Sequence, residues 1–234
     1  MDSARAERVA TCLVEKYGDS VAEQIVSDDS SAASAGPFPL LCVCVLARRR
    51  AVGWTAMAAY RALDEEGWSS PDRLAASPWR GRVRALERAG YETSAERTSF
   101  IVGHLAEEVR DRYHGDLSNL RDEAGQRPSA ERSLLKELKG VEDDTVGMFF
   151  REVQGEWREL CPFADERVLR AARRLDLPAE IQSLVELVGR DAFPRLATGL
   201  AHVDRADAYD AIVQDTPRTA DLHDPSDRLN VDRA

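Results

Sequence analysis

Two stretches of the sequence carry residues that could do chemistry together. The first is LKGVEDDTVG, Leu138 to Gly147, in which Gly140 separates two segments of helical spacing. A glycine at such a corner lets the backbone turn tightly and come close to a phosphate, and the free N–H groups and positive dipole end of the next helix attract an anion. Lys139, Gly140, Val141 and Thr145 are the candidate contacts of that turn. Glu142, Asp143 and Asp144 work against it, because three carboxylates repel the anion the turn should hold. Acids in the first turn of a helix also oppose its dipole favourably, by about 0.3–1 kcal/mol each, so a structural role explains them equally well. The second stretch is CPFADERVLRAARRL, Cys161 to Leu175, with Asp165 at a helix start behind a proline-containing loop. An aspartate in that position is, taken alone, an N-cap.

Helices must position these groups, and the spacing predicts an all-α protein without strand alternation. Residues 3–16 form an apolar stripe ending at Gly18, and a second short helix follows through Val21, Ile25 and Val26. The polar stretch 27–39, ending in Gly-Pro, marks a linker or domain crossing. Beyond it, helices are expected over Leu40–Arg48, Trp54–Leu63, Trp79–Arg88, Ser94–Tyr113 and from Ser129 to Gly140. Ser70-Pro71 reads as a cap followed by a proline at the first helical position. Further helices are expected over Thr145–Val153, Asp165–Leu175 and within 179–213, before a loose tail at 215–234.

Composition limits the partners. The net charge of −10 argues at first against nucleic acid, which is bound through Lys and Arg. Its distribution is uneven, however: residues 37–130 hold 14 Lys and Arg against 13 Asp and Glu, so the acid surplus lies at the two ends of the chain. Only Lys16, Lys136 and Lys139 are lysines. Cys12, Cys42, Cys44 and Cys161 show neither a CxxC pair nor metal-ligand spacing with histidine and read as small buried hydrophobes. The longest apolar run, Leu40 to Ala47, is far shorter than the roughly 20 residues that cross a bilayer. The N-terminus lacks the pattern of a secretory signal. A cytoplasmic protein without membrane contact is expected, nucleoid-associated if bacterial.

Helix, glycine corner and second helix make the layout of a helix-hairpin-helix. Together with PFPLLCVCVLARRR upstream and PFADERVLRA downstream, it makes residues 37–175 resemble the helix-hairpin-helix (HhH-GPD) superfamily of base-excision DNA glycosylases. The resemblance implies a bilobed all-helical fold. Residues 37–150 would form a central helical barrel lobe, and 1–36 with 151–214 a second lobe. Duplex DNA would lie against the cleft between them, bound by a monomer, with the target nucleotide turned out of the stack. It also implies that Asp165 stabilises positive charge developing on the sugar and directs the nucleophile. Arg48, Arg49 and Arg50 would sit at the loop that relatives insert into the duplex. Arg170, trailing Asp165, and its neighbours Arg173 and Arg174 would hold DNA, and Phe163 is the best-placed residue to stack on the flipped base.

Departures from the family pattern narrow the expected activity. Bifunctional members carry a Schiff-base lysine in the hairpin's second helix, where this chain has Asp144. Water is then the nucleophile, and strand cleavage is not expected. No cysteine follows Cys161, so an iron–sulfur cluster held by C-terminal cysteines is not expected either. Glu142 stands where the hairpin's second glycine would be. Apart from a monovalent or divalent cation between the turn and a phosphate, no cofactor is called for. In the family fold positions 144 and 165 face one pocket, so Asp144 and Asp165 could act as an acid beside a base on an N-glycoside. The expected function is a monofunctional DNA glycosylase. The alternative is a homologue that has lost catalysis and serves as a DNA-binding or protein-interaction module.

Overall fold

The computed structural model describes residues 3–28, 36–47 and 53–216, and among them it is all-helical. Helix α1 (Ser3–Tyr17) buries Ala6, Val9, Ala10 and Leu13 along the stripe read from the sequence. It is followed by α2 (Val21–Asp28), α3 (Phe38–Leu46) and α4 (Gly53–Asp64). Every residue of α3 is buried, as expected of a helix with no polar face, and it packs against α2, α4 and α10 (Asp143–Val153). Its last turn is closed from outside: the Tyr91 hydroxyl donates to the Leu46 carbonyl at 2.7 Å, satisfying an acceptor the helix leaves unpaired.

Helices α5 (Pro71–Ala76), α6 (Trp79–Arg88) and α7 (Ala95–Tyr113) are tied together by one buried arginine. Arg82 donates to the Ser77 carbonyl at 2.6 Å, the Leu74 carbonyl at 3.3 Å and the Ser99 carbonyl at 3.2 Å. Ser70 caps α5 as expected, its Oγ accepting from the Arg73 N–H. The short helix α8 (Leu117–Glu123) falls where the spacing predicts none, because only Leu117 and Leu120 mark its buried side. Helix α9 (Pro128–Glu137) leads into Gly140, whose φ of 85° is open to a residue without Cβ. After α10 and a 3-10 turn at Arg158–Leu160 come α11 (Glu166–Arg174), α12 (Ile181–Val188), α13 (Phe193–Ala206) and α14 (Tyr209–Asp215).

The buried apolar side chains gather in two clusters. One runs from Ile25 through α3–α10 to Trp157 and Leu160. The other joins α1 to everything from Cys161 to Ile212. Ile25 of α2 and the turn after α10 pack with the larger cluster. The four cysteines are all buried as free thiols. No helix among the described residues is long and apolar enough to cross a membrane.

Candidate functional site

The second helix of the hairpin and the proline-containing loop meet at Gly147 of α10. Asp165 is the N-cap of α11, its Oδ1 accepting from the Val168 N–H at 3.0 Å. The same side chain packs on Gly147 of α10: a side chain beginning at Gly147 would lie 3.7 Å from the Asp165 Cβ. Its second oxygen is held by Nη1 of Arg151, one turn further along α10. The Asp165 side chain keeps 21% of its surface, whereas that of Arg151 keeps 1%.

Four polar residues that the sequence reading missed hold this arrangement in place. Arg151 also pairs through Nε with Glu152 at 3.1 Å, and Glu152 accepts from the Val21 N–H at 3.0 Å. Burial opposes the charge on Arg151, but the Glu152 and Asp165 carboxylates offset it and push its pKa up. Gln154, fully buried, grips the backbone of Phe163 on both sides. Its Oε1 accepts the Phe163 N–H at 2.8 Å, and its Nε2 donates to the Phe163 carbonyl at 3.1 Å. Arg190 donates to the Cys161 carbonyl at the other end of the loop. The sequence carried only a weak signal: Arg151, Glu152 and Gln154 follow the apolar Phe149 and Phe150 at the end of a helix that buries eight of its eleven residues. Polar groups in such a helix must find partners inside the protein.

The hairpin turn has spent much of its binding capacity internally. The Lys139 N–H donates to Oε2 of Glu108 at 2.5 Å, and its ammonium lies over the Phe100 ring. The Val141 N–H donates to the Leu138 carbonyl at 3.1 Å, and the Val141 side chain is buried. Thr145 is 1% exposed and its Oγ1 has no partner, so its side chain faces the interior rather than a duplex. Asp143 clasps the two hairpin helices together, 2.8 Å from Lys136 and 3.3 Å from Arg132 on α9. Lys136, the nearer cation, pulls the Asp143 carboxyl below its ordinary range. No group of three or more metal-binding side chains is gathered among the described residues. Asp144 is exposed and makes neither hydrogen bond nor ion pair there. It sits one turn before Gly147, on the α10 face that Asp165 touches, yet the charged neighbour of Asp165 is Arg151.

Arg170 is held by Asp204 of α13 through two bonds of 3.0 and 2.6 Å, and Arg167 reaches the same carboxylate at 2.9 Å. Burial works against the charge on Asp204, but the Arg170 and Tyr209 bonds prevail and hold its pKa down. Arg173 pairs with Glu166, and Arg174 with Asp207. The helix that was expected to present three free cations presents paired ones. Phe163 is half-buried and meets Phe150 edge-on, with centroids 5.5 Å apart. Arg48, Arg49 and Arg50 lie outside the described residues.

A cavity of about 170 Å³ opens between the two apolar clusters, where α2, α3, α4, α10 and α13 converge. Arg151 lines it, so the residue that holds Asp165 also forms part of its wall. Fold and site together define an all-helical protein with an N-cap aspartate tied to a buried arginine beside an internal cavity. Comparison of the chain with protein families, curated proteins and solved structures finds no match.

Proposed function

We propose that the protein is a monofunctional DNA glycosylase that hydrolyses the N-glycosidic bond of a damaged or mispaired base in duplex DNA. The observation that carries this reading is the contact between Asp165 and Gly147. Two motifs that the sequence separates by about twenty residues come together at a single carboxylate that still reaches solvent. Held by Arg151, that carboxylate stabilises positive charge growing on the sugar as the base departs. The attacking group is water, because no lysine stands on α10 to form a Schiff base.

A second reading is supported by a specific observation. Glu108 on the Lys139 N–H and Asp204 on Arg170 occupy groups that would otherwise meet phosphates, which favours a homologue that binds DNA weakly or binds a protein instead. Two measurements separate the readings. A gel shift with an abasic-analogue duplex reports binding, and a screen over lesion-bearing duplexes with the Asp165→Asn variant as control reports hydrolysis. Binding with base release that Asp165→Asn abolishes supports the enzyme. Binding without release at any lesion selects the binding module, and absence of both defeats the family reading altogether.

A further inference from the structure

We propose that the internal cavity binds a small ring-sized ligand through a planar pair of hydrogen-bond acceptors, a carboxylate or its equivalent, with Arg205 as the anchoring cation. At about 170 Å³ it is comparable to cavities of roughly 150 Å³ that admit benzene. Val43, Met57 and Met148 give it apolar walls suited to a ring, and Asp19, Arg61, Arg151, Glu152 and Arg205 supply its charge. His202 also lines it and is exposed, so the cavity opens to solvent.

Among the described residues, the buried charges in this wall are satisfied internally, with Arg205 the exception, while Arg61 is exposed. Glu152 is filled by Arg151, by the Val21 N–H and by the Thr198 hydroxyl at 3.5 Å. Arg151 has two carboxylates, Glu152 and Asp165. Asp19 is taken by Arg195 at 2.7 Å. Arg205, half-buried on α13, has no carboxylate within ion-pair distance among the described residues, and its Nη2 meets only the Met148 sulfur at 3.9 Å. Burial lowers the Arg205 pKa, repulsion from Arg151 and Arg167 adds to it, and the attraction of Glu152 ranks behind both. A guanidinium taken out of water without a counter-charge is costly. Its fork of donors matches two coplanar acceptors bidentately, the geometry of a carboxylate or of the acceptor edge of a nucleobase.

The two sources of that chemistry are separated by two probes on the full chain. Benzoate stands for a free carboxylate, and cytosine, whose O2 and N3 offer an acceptor pair on a neutral ring, stands for a base. Benzyl alcohol serves as the ring without the pair. Calorimetric titration and melting curves are expected to show benzoate or cytosine binding at least about tenfold more tightly than benzyl alcohol, with a rise in melting temperature. Arg205→Met is expected to abolish that preference while melting at or above the temperature of the parent, since it removes an uncompensated cation. Whichever probe binds more tightly names the source. Equal binding of all three compounds overturns the proposal, as does an Arg205→Met variant that keeps the preference. The test is independent of base release from DNA, so the glycosylase reading and this one can fail separately.

Discussion

The buried Arg151 guanidinium holds Asp165 by one oxygen while the first turn of α11 holds it by the other. Asp165 is therefore both the cap of α11 and the surface end of a charge pair rooted in α10. The two roles respond differently to substitution. Asparagine keeps the capping oxygen but loses the charge, so Asp165→Asn is expected to cost no more than about 1–2 kcal/mol in stability and, on the proposed function, to reduce base release by at least about a hundredfold. Denaturant unfolding alongside a glycosylase assay checks both. An equal loss in Asp165→Asn and in the cap-breaking Asp165→Ala, tracking stability, would leave only the structural role.

Removing the other partner should be far more damaging to the fold. Arg151→Met leaves Glu152, which is 8% exposed, without its cation. Breaking one side of a buried pair typically costs about 3–5 kcal/mol. A urea midpoint close to that of the parent would contradict the pairing described.

Asp144 offers the reverse case. It is exposed and unpaired among the described residues, so Asp144→Asn is expected to change stability by less than about 0.5 kcal/mol. If Asp144 and Asp165 divide acid and base work on the leaving base, turnover falls. Unchanged turnover rejects the division.

Glu108 occupies the Lys139 N–H of the hairpin turn. Glu108→Ala frees that donor and removes a negative charge, and duplex affinity is expected to rise several-fold, with a steeper dependence on salt. Fluorescence anisotropy at two salt concentrations reads both effects, and unchanged affinity would show that the turn does not face DNA.

Stability should vary with pH through Glu131. Its carboxyl is fully buried, and burial followed by the neighbouring Glu159 carboxylate raises its pKa to about 7. The folded protein thus holds this proton more tightly than the unfolded chain. The contribution is complete below about pH 4.5 and is lost as pH rises through about 7. Glu131→Gln should flatten this decline, with the largest gain, about 3 kcal/mol, near pH 8. Unfolding curves at mildly acidic and mildly basic pH test it, and a mutant that runs parallel to the parent would exclude the assignment.

Much of this molecule could be read from local pattern. The stripe of α1, the wholly apolar α3, the cap at Ser70 and the helix start at Asp165 each depend on residues within a few positions of one another, and the structure has them where the spacing points. The same logic failed at α8, where two buried leucines make too weak a period.

What the sequence by itself determined is which segments are helical and which of their faces are apolar, because propensity, capping and periodicity act over one or two turns. The partner of each charge was decided by tertiary structure alone. Arg170 meets Asp204 across 34 residues, Lys139 meets Glu108 across 31, and Arg151 turns inward to Asp165 across 14. A guanidinium on a helix reads the same in sequence whether it waits for a phosphate or has already found a carboxylate. Only the packing of one helix against another settles which, since an ion pair needs its two groups within about 4 Å and no local pattern carries that distance.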